Sequence, residues 1–272
     1  MGQPEVVAHR GASAERAEHT LAAYQVALDQ GAEALECDVR VTRDGHLVCV
    51  HDRRVERTST GRGVVSELTL AALSRFDFAH WHHDLPDSAD ELVFEPGVSP
   101  VRDESQRRIL TFDALLGLVR AQPRPVRLFA ETKHPVRYGG LVEAKLTAAL
   151  ARHGVSAPAA KEESPVVMMS FSSAAVRRFR ASAPRVPTVL LFDRLSRAAR
   201  SGELPGWADL AGPSVRLLRR EPELAARMAD RGRDTYCWTV DEPEDVELCR
   251  RAGVRFVATN RPGATRERLV AC

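Results

Sequence analysis

Along this chain short apolar runs alternate with longer stretches at helical spacing, and few folds accommodate such a rhythm. Glu5 to His9 reads as a strand, and Thr20 to Gln30 as a helix capped by Thr20 and ended by Gly31. Leu35 to Val41 reads as a second strand. Further barrel strands are expected at Val126 to Glu131, Val166 to Ser170, Pro187 to Phe192, Ser214 to Leu218, Thr235 to Val240 and Val254 to Ala258. Helical patterns at Leu141 to Arg152, Ala174 to Ala181 and Glu242 to Ala252 fall between them. Parallel neighbours need a crossover, usually a helix, so the alternation implies an α/β chain with a parallel sheet. Eight such strands in 272 residues suit one closed (β/α)8 TIM barrel, which takes ~250 residues. An open doubly wound sheet is the alternative.

One segment breaks the rhythm. Between His51 and Leu110 the chain is rich in Arg, Asp, Ser, His and Pro, too long for an ordinary connection. It reads as a small inserted lobe at about 53–108, after the third predicted strand, within a single domain spanning 1–272. His80, His82 and His83 are expected on its surface, and His46, His134 and His153 in turns or loops.

Composition narrows the classes. Apolar residues make up 44% and charged residues 28%, which excludes a disordered or fibrous chain. Basic and acidic residues nearly cancel, 39 against 37, and no basic stripe stands out. A nucleic-acid binder that neutralises phosphates would show an excess, so no nucleic-acid partner is expected. Five cysteines without a C-x-x-C pair read as free, mostly buried thiols in a reducing compartment. No signal peptide and no apolar run of ~18 residues is visible, so a cytoplasmic protein without stable membrane insertion is expected. Nothing in the sequence sets an oligomeric state.

Four polar clusters sit at strand ends: His9-Arg10-Gly11, Glu36-Cys37-Asp38, His51-Asp52 and Glu131-Thr132-Lys133. In a barrel, the C-terminal ends of the strands converge on one mouth, where active sites lie. Glu36 and Asp38 are two apart on a strand and share a face. An E-x-D pair alone is more often an exposed strand face. With Glu131 it offers three carboxylates, a ligand set for one hard divalent cation, Mg²⁺ or Ca²⁺.

Asp44-Gly45 is a hairpin signal, which makes Leu47 to Val50 a returning arm rather than a barrel strand. If the turn has two residues, facing positions sum to 89, and Asp38 lies opposite His51. An imidazole would then stand beside the carboxylates, as acid–base chemistry requires. A longer loop would shift that register. Arg10 offers a donor fork for phosphate oxygens, and Lys133 a point charge on the face of Glu131. Trp238 either packs in the core or lines the mouth. No G-x-S-x-G, G-x-G-x-x-G or P-loop occurs, which argues against a serine hydrolase or a nucleotide cofactor.

The order of these residues resembles the glycerophosphodiester phosphodiesterase family. The likeness begins with VVAHRGASAERAEHTLAAYQVALDQGAEALECDVRVTRDGHLVCVHD and continues through RRVERTSTGRGVVSELTLAAL. It resumes at ILTFDALL, LFAETK and MSFSSAAVRRFR, and closes with CWTVDEPEDVELCRRAGVRFVATNRPG. The resemblance implies a (β/α)8 barrel with an inserted lobe and one divalent cation on Glu36, Asp38 and Glu131. It further implies His9 and His51 as the acid–base pair, Arg10 and Lys133 on the phosphate, and Trp238 on the glycerol side. The chain departs from the family at Ala17-Glu18-His19-Thr20, where Pro-Glu-Asn-Thr is usual. The implied reaction is hydrolysis of a glycerophosphodiester to sn-glycerol 3-phosphate and an alcohol. The alternatives are a phospholipase D-like activity on lysophospholipids or sphingolipids, and a silent glycerophosphodiester-binding protein.

Overall fold

The strands are apolar on both faces, so they can be buried only between a packed interior and an outer layer of helices. The computed structural model describes residues 2–80 and 107–271 and shows that arrangement. In chain order the elements are β1 (Glu5–His9), α1 (Leu21–Asp29), β2 (Ala34–Val41), β3 (Leu47–Cys49), α2 (Leu70–Leu73) and α3 (Phe112–Arg120). Next come β4 (Arg127–Thr132), α4 (Leu141–Arg152), β5 (Val166–Ser170), α5 (Ser173–Ser182), β6 (Thr188–Phe192) and α6 (Arg197–Arg200). The chain closes with β7 (Leu210–Pro213), α7 (Val215–Arg220), α8 (Leu224–Ala229), β8 (Tyr236–Cys237), α9 (Pro243–Ala252), β9 (Phe256–Thr259) and α10 (Pro262–Val270).

Parallel pairing runs β7-β6-β5-β4-β2-β1-β9-β8. Two isolated parallel bridges, Ala211 to Thr235 and Ser214 to Trp238, join β7 to β8 and bring the ring to near closure. The (β/α)8 barrel is thus the observed architecture, and the open sheet is excluded. Inside it, Phe129, Val167, Met169, Val189, Leu191 and Phe256 form an apolar floor. The Phe129 ring lies 4.9 Å from that of Tyr236 and 5.1 Å from that of Phe256. On β5 the alternate residues Val166 and Met168 face the helix layer instead.

Two expectations need correction. Ser214 to Leu218 is not a strand: β7 ends at Pro213, and Ser214 caps α7, its hydroxyl accepting from the Leu217 N–H at 3.3 Å. Val215, Leu217 and Leu218 are apolar in either conformation, and the Ser cap with Arg219 and Arg220 in the last turn favours the helix. The hairpin register is also different. Thr42 N–H donates to the His46 carbonyl at 2.9 Å, enclosing a three-residue loop with Gly45 at φ +85°. The pairs Val39–Cys49, Arg40–Val48 and Val41–Leu47 sum to 88. Asp38 therefore lies opposite Val50, whose N–H it accepts at 3.0 Å, and not opposite His51.

Beyond β3 the chain packs Val55, Val65, Leu73, Phe78 and Ile109 onto Val48 and Val50. His80 is exposed, while His82 and His83 lie outside the described residues, as does much of the expected lobe. Cys37, Cys49, Cys237 and Cys249 are buried free thiols. Among the described residues, no helix is long and apolar enough to cross a membrane.

One ion cluster ties the barrel's far side together. Asp209, just before β7, accepts from Lys161 Nζ at 2.7 Å and from the Thr188 N–H at 2.9 Å, and it pairs with Arg180. Burial works against its charge, but these donors hold its pKa below the ordinary 3.8. Asp209→Asn is expected to cost about 1–2 kcal/mol at pH 7, discounted for partial exposure. A depressed carboxyl pKa stabilises the fold above the unfolded pKa, and that contribution is lost as pH falls through the folded value. The difference between parent and variant in urea melts should therefore shrink toward pH 3. An undiminished difference there would remove the ion cluster as its cause.

Candidate active site

Register places the site. β1, β2 and β4 are consecutive in the ring, with His9 beside Glu36 and Asp38 beside Glu131. Imidazole and carboxylates thus stand side by side at the strand ends. The ligand oxygens of Glu36, Asp38 and Glu131 lie within 4.8 Å of one another, and all three residues are buried.

The turn after β1 aims Arg10 at this cluster. Arg10 and Gly11 are both left-handed, with φ of +62° and +82°. A Cβ at Gly11 would stand 2.6 Å from the Ala23 backbone, so only glycine fits there. Arg10 N–H donates to Glu36 Oε2 at 3.0 Å, while its guanidinium pairs with Asp38 at 3.1 Å and Glu18 at 3.2 Å. Lys133 Nζ bridges Glu131 at 2.9 Å and Asp38 at 3.3 Å.

His19 was not singled out by the sequence as a site residue, yet it sits in the second layer. It is buried, left-handed at φ +61°, and its Nε2 lies 2.9 Å from Asp38 Oδ2. The Tyr24 hydroxyl donates to the Glu36 carbonyl at 2.9 Å and accepts from His19 Nδ1 at 2.8 Å. Asp38 is thereby fixed from three sides.

Each histidine has one nitrogen anchored. Asn260 donates its amide N–H to Asp241 at 2.6 Å, so its carbonyl oxygen faces His9 Nδ1 at 2.8 Å. The other nitrogen, Nε2, is then the lone-pair side, 3.9 Å from Glu36 Oε2. His51 lies past the end of β3, where Arg40 donates twice to its carbonyl, at 3.0 and 2.7 Å. Its Nδ1 donates to Asp52 Oδ1 at 2.7 Å. Arg57 binds the second oxygen of Asp52 at 2.5 Å and grips Glu18 with two further bonds of 2.9 and 2.7 Å. Charge alternates along the whole path from Asp52 through Arg57, Glu18, Arg10, Asp38 and Lys133 to Glu131.

The electrostatics follow from burial and these partners. Burial, then Arg10, lower His9 to about 4, and burial also lowers His51. Burial and Asp38 raise Glu36 well above the usual carboxylate range and bring Glu131 up to about 7. Burial opposes ionisation of Asp38 as well, but His19, Arg10 and Lys133 hold it well below its ordinary value. Burial opposes Glu18 too, and Arg57 and Arg10 bring it to about 2. Two strained carboxyl groups beside one held ionised leave this cluster short of positive charge. The buried Tyr236 hydroxyl has no hydrogen-bond partner, and the charges of Glu36 and Glu131 act on it. An all-oxygen, buried, charge-deficient set of this kind fits a hard divalent cation.

Trp238 stands across the mouth. β8 is four strands from β4 around the ring, so the two are diametrically opposed. Its indole N–H donates to the Gly212 carbonyl at 2.9 Å, and its ring meets exposed Phe171 edge-on at 5.1 Å.

Residues 9–264 match the Glycerophosphoryl diester phosphodiesterase family, nearly the whole chain. The chain belongs to this family of phosphoric diester hydrolases. It is 51% identical over 266 residues to a Mycobacterium tuberculosis protein named "Probable glycerophosphodiester phosphodiesterase 1", covering 97% of this chain and 92% of that one. The glycerophosphodiester phosphodiesterase of Agrobacterium tumefaciens shares the fold at TM-score 0.74 and 23% identity, covering 97% of this chain and all of the other. An Oleispira antarctica phosphodiesterase, solved with its product sn-glycerol 3-phosphate, does so at TM-score 0.76 and 19% identity. That likeness covers 98% of this chain and 97% of that one.

Proposed function

We propose that this chain is a metal-dependent phosphodiesterase that hydrolyses glycerophosphodiesters to sn-glycerol 3-phosphate and an alcohol. The observation that carries the reading is the register of β1, β2 and β4, which sets His9, Glu36, Asp38 and Glu131 side by side in a member of this family. Glu36, Asp38 and Glu131 would hold one Mg²⁺ or Ca²⁺, whose charge would stabilise the phosphoryl oxygens during displacement. Arg10 and Lys133 orient the phosphate and share that charge. Of the two histidines, one takes the proton of the nucleophile, which is either water or the substrate's own 2-hydroxyl; in the second case the cyclic phosphate formed is then opened by water to sn-glycerol 3-phosphate. The other supplies a proton to the departing alcohol. Asp52 holds the His51 ring and stabilises it when protonated. Trp238 and Phe171 pack against the glycerol carbons. Four buried free thiols favour a reducing, cytoplasmic setting.

The test is coupled detection of glycerol 3-phosphate from a panel of glycerophosphodiesters. Release that stops with EDTA and returns with added Mg²⁺ or Ca²⁺ is expected. No release under any metal would favour a silent binder, and release indifferent to EDTA would remove the cation from the reading.

A further inference from the structure

A second cleft, of about 110 Å³, opens beside the mouth between the β2–β3 hairpin, the chain after His51 and the loop after β4. Four arginines line it: Arg40, Arg43, Arg53 and Arg137. Among the described residues, no Asp or Glu does. Arg43, Arg53 and Arg137 are exposed and, among the described residues, pair with no carboxylate; Arg137 lies over the Tyr138 ring, and buried Val65 contributes an apolar floor. A Cβ on Gly45, at the cleft edge, would stand 2.7 Å from Lys145 Nζ, so a fifth cation is close by. Like charges gathered this way repel one another unless an anion sits among them.

The cleft adjoins the site along the chain. Arg40 lies two residues beyond Asp38 on the same face of β2, and Pro135, which lines the cleft, lies two beyond Lys133. Arg40 spends its Nε and Nη2 protons on the His51 carbonyl, which leaves Nη1 for a ligand. The ring order gives the direction. With the glycerol end at Trp238 and the phosphate over Arg10 and Lys133, the alcohol leaves toward the opposite rim, where β2 and β4 end.

We propose that this cleft binds a second phosphate carried by the alcohol half of the substrate, so that the chain prefers glycerophosphodiesters whose leaving alcohol is itself phosphorylated. The inference rests on the phosphodiesterase reading above for the direction of the substrate. Two probes differ by one glycerophosphoryl group: glycerophosphoglycerol and bis(glycerophospho)glycerol. The second should show a kcat/KM higher by about tenfold, beyond the factor of about two from its two equivalent ends. In the double variant R43A/R137A the preference should fall to that statistical factor, and rising salt should erode it in the parent. A parent without preference, or a double variant that keeps it, would overturn the proposal.

Calorimetric binding of both probes to His51→Ala separates the two ideas. If the parent releases no glycerol 3-phosphate from either probe, the phosphodiesterase reading fails, and the affinities still decide the cleft. Tenfold tighter binding of the bis compound, abolished by R43A/R137A in the same background, supports it; equal affinities sink it. Inorganic phosphate is the third ligand. If R43A/R137A weakens phosphate binding while the two probes bind alike, the cleft is a free-phosphate site and the substrate assignment falls.

Discussion

His51→Ala and His9→Ala are each expected to lower kcat by about 10²–10⁴-fold while the protein still folds. His51 is partly exposed and sits past the end of β3, so its loss opens no cavity in the barrel. His9 is held by Asn260 and lies at the end of β1, above the apolar floor. With both ordinary imidazole pKa values lowered by burial, neither ring is a permanent charge at pH 7, and each is free to move a proton. Asp52→Asn should fall between parent and His51→Ala, with kcat reduced more than KM, because it loosens the ring without removing it. The measurements are glycerol 3-phosphate release and thermal melts. Near-normal turnover in both alanine variants would end the acid–base assignment.

The second large effect concerns the carboxylates. Glu131 has a folded pKa of about 7 without a cation, above its ordinary 4.5, chiefly from burial and Asp38. A carboxyl raised in this way binds more protons folded than unfolded between those values, so the cation-free protein loses stability as pH rises through that window. A divalent cation competes with the proton and relieves the repulsion. The gain in Tm on adding Mg²⁺ or Ca²⁺ should therefore grow from pH 5 to pH 8. Asp38→Asn should remove most of that gain and cut turnover by about 10²–10³-fold, as it takes away the one ligand held ionised. A cation shift independent of pH, or one unchanged in Asp38→Asn, would move the cation elsewhere.

Much of this was legible because parity and order are local properties. The spacing of Glu36 and Asp38 fixes a shared face whatever the exact strand ends, and Glu131 and Lys133 obey the same rule on β4. What failed depended on a single backbone choice. Gly45 in a left-handed conformation lengthens the hairpin loop by one residue, which moves every facing pair and takes His51 out of line with Asp38. Ser214 could begin a strand or cap a helix, and the residues after it are apolar either way.

The supporting layer was hidden for another reason. Glu18 meets Arg57 across 39 positions, a contact made by neighbouring strands, and His9 meets Asn260 across 251, a contact that joins the first strand to the last. His19 carried a signal in its departure from the family's Asn. A left-handed position tolerates Asn and His better than most residues, and both side chains can reach a carboxylate.

The alternating chain of charges from Asp52 to Glu131 also works as a brace. Arg57 stands outside the Glu36, Asp38 and Glu131 cluster, yet it restrains Arg10 through Glu18 and the His51 ring through Asp52. Loss of that one guanidinium would slacken two side chains of the mouth at once without touching a carboxylate of the cluster.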